Sequence, residues 1–400
     1  MNILLVVPEE FMAKRWGGVT SYTIDLAKAL TTLNHQVRIV TPGKASKTTS
    51  FSGLVINKIA PRETGFLPIR LFIRTIGKGF PKLAGRLNWA LAVRKFVKDN
   101  PKIDIVEAPE WGASSLFLPF SKKPKVIVRL HRSWIQYLVD NASAISLEDR
   151  LISLTEYFSI GCASGVTSPT HFMLNKYRHF LKVLGKKEGV TQVIPNAIVP
   201  LPVKKQKNDF GQYLLTVGRI ERAKGSFLLA EAFIKVHKRY PFINLVYIGE
   251  DTEIAKGNKK LSTKKVLKDG ILKKLHGKHV FFLPKIARSK LLPYYKNSLI
   301  YITPSIGHEN PSLSLIEALV SKASVIAART GGIPEVIKEG VNGLLFEPKN
   351  ADDLANKILQ LIKNTKLRNK LAKNALLGVT NIKTATQKTS NFYKLLLKSS

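Results

Sequence analysis

The chain has 400 residues, 44% apolar and 23% charged, with 64 Lys plus Arg against 27 Asp plus Glu and a formal net charge of +37. That length leaves room for two domains with sizeable cores, and the composition excludes a disulfide-stapled mini-protein and a wholly disordered chain. The positive excess runs through both halves rather than a tail; it suits polyanions such as nucleic acid, anionic lipid or phosphorylated ligands, or is a Lys-rich solvated surface.

The opening run MNILLVVPEE has no basic start and too short an apolar stretch for a secretory signal, and reads as a buried first strand. Short apolar runs then alternate with amphipathic stretches, the pattern of parallel sheets covered by helices on both faces. Strands are predicted at Asn2–Val7, Gln36–Val40, Ile103–Glu107, Lys125–Leu130 and Gly165–Thr167, with helices such as Ser21–Leu33 and Leu147–Ile160 between them. From Phe66 to Lys98, the residues Gly77, Gly79 and Pro81 divide one long amphipathic stretch into two helices, the second running to Val97. Arg70, Arg74, Lys78, Lys82 and Arg86 recur there every four residues among apolar side chains. One helix would carry them as a stripe, either for an anionic membrane or as a solvated basic face.

Near residue 200 the segment VIPNAIVPLPVKKQKNDF breaks the pattern and reads as a linker. A second series of strands follows at Tyr213–Val217, Asn244–Ile248, His279–Leu283, Leu299–Thr303 and Ser324–Ala327. The expected fold is α/β: two doubly wound, Rossmann-like domains facing each other across a cleft. Residues 1–199 form the first domain and 200–382 the second, with a terminal helix (Asn381–Leu397, essentially 383–400) packing back on the first. Cys162 is the only cysteine, so no intrachain disulfide or Cys-based zinc site forms, and a cytoplasmic location fits, with peripheral attachment to the inner membrane face an alternative.

Several motifs are absent: the G-x-x-x-x-G-K-[ST] phosphate loop, G-x-G-x-x-G after the first strand, G-x-S-x-G and H-E-x-x-H. An ATPase, a typical dehydrogenase, a serine hydrolase and a zinc protease lose support. Gly17-Gly18, after Arg15-Trp16, lie between the first strand and a helix, where backbone amides can approach a phosphate or sugar; a tight turn explains them equally. In the second series a strand ends at Gly218-Arg219 and is followed by Lys224-Gly225 at a helix start. Two cations beside a helix N-terminus suit a diphosphate. In Ser305 to Leu319, Pro311 suits a first helical turn with Asn310 or Glu309 near the cap. Glu309 precedes this helix and Glu317 lies two turns in, so the two carboxylates would meet different parts of one ligand, such as a hexose and a ribose, or, taken by this segment alone, are a capping residue and a solvated helix residue.

Together these segments resemble the retaining nucleotide-sugar glycosyltransferases of family 4, the GT-B group also called glycosyl transferase group 1. The match runs from Gly17-Gly18 to Gly343-Leu344-Leu345, and includes the turn Gly331-Gly332-Ile333-Pro334-Glu335. The resemblance implies a donor held mainly by the second domain and an acceptor by the first. It assigns the donor diphosphate to Arg219 and Lys224, the ribose to Glu317, the transferred sugar to Glu309 and the base to Leu283-Pro284. His131 would stand by the donor sugar near the reaction centre, with Gly17, Gly18, Asn310, Pro311, Ser312 and Leu313 completing the donor site. Where the family usually has Gly-Phe-Gly this chain has Asn310-Pro311-Ser312, and Asn196-Ala197-Ile198-Val199 replaces an Asn-Gly-x-Asp.

The activity so implied moves a hexose from a UDP- or GDP-sugar to a hydroxyl of a glycan or lipid-linked saccharide, as in polysaccharide biosynthesis. It needs no metal and no resident cofactor, the nucleotide-sugar being a co-substrate. An anionic membrane surface is a further partner and no specific nucleic acid is expected. The alternatives are a nucleotide-sugar epimerase or phosphorylase of the same fold, and a non-catalytic polyanion-binding protein.

Overall fold

The apolar run that opens the chain forms β1 (Asn2–Val6), buried from Ile3 onward, as a central parallel strand covered on both faces must be. In the computed structural model, which describes residues 1–9, 17–61, 67–118, 123–183, 185, 188–199, 210–256, 259–307 and 310–399, the chain divides into two units. The first comprises Met1–Leu138, Ala144–Val199 and Thr380–Ser400, the second Val139–Ser143 and Pro200–Val379.

The first unit adds β2 (Gln36–Pro42), β3 (Lys47–Phe51), β4 (Leu54–Ile59), β5 (Ile105–Pro109), β6 (Lys125–Arg129), β7 (Gly165–Ser168) and β8 (Val190–Val193). They form an eight-stranded sheet in the order β3-β4-β2-β1-β5-β6-β7-β8, parallel except for β3. The chain leaves β1 toward β2 and β4, then resumes on the other side at β5, so the strand order reverses between β1 and β5. Helices α1 (Gly18–Thr31), α2 (Leu67–Gly79), α3 (Pro81–Lys98), α4 (Trp134–Asp140), α5 (Leu147–Gly161) and α6 (His171–Val183) accompany it. One core gathers Leu4, Val6, Val40, Trp89, Val93 and Val106; a second, Val128, Leu130, Ile160, Leu174 and Tyr177.

The second unit contains β9 (Tyr213–Val217), β10 (Asn244–Ile248), β11 (Glu253–Lys256), β12 (Lys259–Ser262), β13 (Val280–Leu283), β14 (Ile300–Thr303), β15 (Val325–Ala328) and β16 (Leu344–Phe346). Its main sheet is all parallel in the order β13-β10-β9-β14-β15-β16, and here the order reverses between β9 and β14. Helices α7 (Ser226–Arg239), α8 (Thr263–Asp269), α9 (Leu292–Asn297), α10 (Leu313–Val320), α11 (Ile333–Val336), α12 (Ala351–Lys363) and α13 (Thr365–Lys373) complete it, around a core that includes Leu214, Phe233, Tyr247, Ile302, Phe346 and Ile358. Two glycines let its backbone close up. A Cβ on Gly225, whose φ is +71°, would lie 1.8 Å from the Pro304 carbonyl oxygen, and one on Gly249 equally close to that of Gly218.

The last helix, α14 (Ile382–Lys398), belongs to the first unit. Asn381 caps it, accepting from the Thr384 N–H at 2.8 Å. Phe392 and Leu396 fill the space a side chain on Gly165 would need, and Ser390 lies 2.8 Å from the His35 ring. Tyr393 donates to the buried Glu107 at 2.6 Å.

Each strand predicted above is present within two residues at either end. The antiparallel β3–β4 pair, β8, the β11–β12 pair and β16 were not anticipated. The β3–β4 turn is the two residues Ser52-Gly53, both at positive φ, the geometry a tight hairpin demands. The stretch 67–98 is two helices broken before Pro81. Phe66 and the side chains of residues 67–72 lie outside the described residues. In the second helix the four-residue basic stripe ends at Lys82, because Arg86 turns inward to Glu156 at 2.8 Å. Among the described residues no helix is long and apolar enough to cross a membrane.

Candidate functional site

Open α/β sheets bind ligands beyond the carboxyl ends of strands where the strand order reverses. In the second unit a pocket of about 350 Å³, mouth included, sits at that place. Gly218 and Arg219 enter it from the end of β9, Pro304 and Ser305 from the end of β14, Lys224 and Ser226 from the start of α7, and Ser312 and Ser314 from the start of α10. Among the described residues, two cations line it and no carboxylate does. Two helix N-termini converge on it, that of α7 following Gly225 and that of α10 capped by Ser312, whose hydroxyl accepts from the Leu315 N–H at 3.2 Å. The arrangement suits a ligand with two or more negative charges.

Of the residues expected at a donor site, the pocket brings together Arg219, Lys224 and Ser312. Helix α10 starts later than expected. Asn310 and Pro311 lie outside it, and Ser312 rather than Asn310 or Glu309 is the cap, because its hydroxyl reaches the third amide of the helix. Leu313 is the first helical residue, and Leu283 ends β13 with Pro284 just beyond it. Glu309, with His308, lies outside the described residues. Glu317 is buried and its oxygens are engaged, accepting from Arg288 Nε at 2.5 Å and from the Tyr295 hydroxyl at 2.8 Å. Burial first, then the charge of Glu317, pushes the Tyr295 hydroxyl well above its usual range, so it remains a donor. Glu221, also absent from the sequence reading, stands behind Arg219 with its carboxylate buried 3.1 Å from the guanidinium.

The reversal in the first unit is built from opposite chemistry. Glu9, beyond β1, accepts from the Gly17 N–H at 2.7 Å and the Thr20 hydroxyl at 2.8 Å, so an acid already holds the amide of the glycine turn. Glu110, directly after β5, takes the His131 N–H on both oxygens at 2.7 Å. Burial raises Glu110 to about 8. His131, just beyond β6, has its ring edge-on to Tyr22 at 5.3 Å; burial, then the charge of Arg129, holds it down to about 3, so it is a neutral imidazole near pH 7.

Under this layer Arg129 is wholly buried, donating to the Ile194 carbonyl at 2.7 Å and Asn196 Oδ1 at 2.9 Å, with its guanidinium over Tyr22 at 4.8 Å. Glu156 accepts from the Gly112 N–H at 3.1 Å, the Trp134 N–H at 2.8 Å and Arg86 at 2.8 Å. Neutral imidazole, carboxyl groups and backbone suit uncharged hydroxyl-rich ligands better than phosphate. Among the described residues no three His, Cys, Asp or Glu side chains gather as a metal site.

Two wound α/β units with such switch points define the GT-B class of glycosyltransferase fold. The sequence profile described as "Glycosyl transferases group 1" matches residues 201–377, and that described as "Glycosyltransferase Family 4" matches residues 16–200; the chain belongs to this glycosyltransferase group. The alpha-monoglucosyldiacylglycerol synthase of Acholeplasma laidlawii is 23% identical over 385 residues, covering 90% of this chain and 88% of that protein. Spore coat protein SA of Bacillus subtilis is 27% identical over 165 residues, covering 40% of this chain; the match spans less than half, 42%, of that relative's length. The crystal structure of Anabaena HepE in complex with UDP and glucose superposes with a TM-score of 0.71 at 17% identity, covering 99% of this chain and all of that one.

Proposed function

We propose that the chain transfers a hexose from a UDP- or GDP-sugar to a hydroxyl of a glycan or lipid-linked saccharide, retaining the anomeric configuration and using no metal ion. The observation that carries this reading is the pocket between β9 and β14, where Arg219, Lys224 and two helix N-termini converge. They would neutralise the diphosphate as it leaves, the work a divalent ion does elsewhere. The sugar C1–O bond breaks with its electron pair going to the phosphate oxygen, the acceptor oxygen bonds to C1 on the same face, and the acceptor proton passes to that phosphate. The complex of HepE with UDP and glucose and the name of the Acholeplasma relative accord with a nucleotide-sugar donor and a lipid-borne acceptor.

Glu309 would orient the transferred sugar. A carboxylate has about four lone-pair sites, so Glu317, held by Arg288 and Tyr295, keeps capacity for ribose hydroxyls. Neutral His131 would hydrogen-bond the sugar without repelling its developing positive charge. Leu283 and Pro284 would flank the base, with Asn310, Pro311 and Leu313 beside the sugar and phosphates.

Proton NMR of the product, made in the presence of a chelator, tests the reaction. A retained anomer is expected; an inverted one, or activity that returns only with manganese, would refute the proposal. Glu309→Gln is expected to lower kcat and Glu317→Gln to weaken nucleotide binding.

A further inference from the structure

Helix α5 exposes an apolar ridge that the proposed reaction does not use. Leu147, Leu154 and Phe158 are 63%, 61% and 52% exposed, and Leu151 between them is half-buried. Their spacing of four, three and four residues puts all of them on one face, a ridge of roughly 16 Å at 1.5 Å per residue. Ile145, just before the helix, is also exposed. Soluble surfaces carry isolated apolar residues, but a contiguous run on one helix marks an interaction site.

The charges around the ridge indicate what covers it. All three acids of α5 are turned inward: Glu148 accepts from the Lys82 and Leu83 amides at 2.6 and 3.0 Å, Asp149 from the Trp134 indole at 2.8 Å, and Glu156 from Arg86. The one base of α5, Arg150, is turned outward beside Leu147 and Leu154. Helix α6 stacks on α5 through Phe180 and Tyr157, whose rings are 4.0 Å apart, and its sequence, HFMLNKYRHFLKV, contains no acid. It exposes Lys176, Lys182 and Val183. Helix α3, joined to α5 by the Lys82–Asp149 and Arg86–Glu156 pairs, is acid-free too. An apolar ridge between acid-free basic helices has the polarity of a helix lying in an anionic lipid interface, acyl chains meeting the ridge and headgroups its flanks. A second copy of a chain with a net charge of +37 is a poor occupant, because like charges would face each other.

We propose that the α5 ridge, flanked by α3 and α6, docks the protein on an anionic membrane. This differs from a basic stripe along residues 70–86: the apolar anchor lies on another helix, and Arg86 serves the interior. The proposal does not depend on the donor assignment.

The test is co-sedimentation of the full chain with vesicles of phosphatidylcholine alone or mixed with anionic phosphatidylglycerol, at low and high salt. Wild type is expected to bind the anionic vesicles at low salt, and Leu147→Gln/Leu154→Gln/Phe158→Gln to lose on the order of tenfold in partitioning. The triple variant should keep its unfolding midpoint and its thermal shift with UDP or GDP, which separates loss of docking from loss of fold or donor site. Phe158→Trp keeps the ridge intact, and its added fluorescence should be quenched by acyl-brominated lipids. Equal binding by the triple variant, no binding by wild type, no quenching of Phe158→Trp, or a wild-type dimer that the triple variant converts to monomer would each overturn the proposal.

Discussion

At the reversal between β9 and β14 the chain presents Arg219 and Lys224 with two helix N-termini and, among the described residues, no lining acid, whereas at the reversal between β1 and β5 it gathers Glu9, Glu110 and a neutral His131 over the buried Glu107 and Glu156. The two sheets are wound alike, and both leave backbone amides at the carboxyl ends of their strands. What differs is what the sequence puts opposite those amides. In the second unit the start of α7 follows a glycine with no side-chain cap, while in the first the amide of Gly17 already holds the Glu9 carboxylate. One switch point is therefore electrostatically prepared for an anion and the other for hydroxyl groups. A similar winding thus yields two chemically distinct switch points, and the proposed reaction, with one anionic and one hydroxylic substrate, would use both.

The largest effect expected is on the carboxylate network of the first unit. Glu156→Ala removes the counter-ion of Arg86 and the acceptor for two backbone amides, and should cost about 3–5 kcal/mol in urea unfolding. A loss under 1 kcal/mol would show that the network is not what holds that half together.

The next is a dependence on pH. His131 falls from an ordinary 6.5 to about 3, so the folded state takes up fewer protons than the unfolded one in that window; its contribution is complete above pH 6.5 and is lost as the pH falls toward 3. Glu110 rises from 4.5 to about 8, so its contribution is complete below pH 4.5 and is lost as the pH climbs to 8. Each gives a slope of at most ~1.4 kcal/mol per pH unit. His131→Gln should flatten the acid limb of the stability profile and Glu110→Gln the neutral-to-alkaline limb. Unchanged profiles would mean that these groups do not titrate out of range and that the contrast between the half-sites is weaker than drawn.

A smaller effect is expected where α14 meets the first sheet. Tyr393→Phe deletes a donor to Glu107 and should cost about 1 kcal/mol, read as a lower unfolding midpoint. An unshifted midpoint would show that the hydrogen bond between α14 and β5 contributes nothing to the first half.

The alternating strands were legible because buried parallel strands are unbroken apolar runs, as in NILLV and YLLTV. KTTSF and VTQV escaped notice because they lie at the sheet edges, half exposed and mixed in polarity, and β16 because three residues carry no period. In the candidate site, Arg219 and Lys224 were legible because they follow one strand within a few residues, so local spacing alone aims them at one helix start. Glu110, Glu156, Glu221, Arg288 and Tyr295 were not, since their roles come from partners or burial that spacing cannot show. Arg86 and Glu156 are 70 residues apart. Arg86 itself was misread for the same reason: a four-residue period places it on a helix face but does not say whether that face meets water or a buried acid.

The contrast between the half-sites is tested most directly by titrating UDP and GDP, without sugar or acceptor, into Arg219→Ala, Lys224→Ala, His131→Gln and wild type. The nucleotide should bind Arg219→Ala and Lys224→Ala on the order of tenfold or more weakly, each having lost one charge-assisted contact, while His131→Gln binds it as wild type does. Undiminished affinity in both cation variants, or an equal loss in His131→Gln, would contradict the assignment of the anion to the second unit.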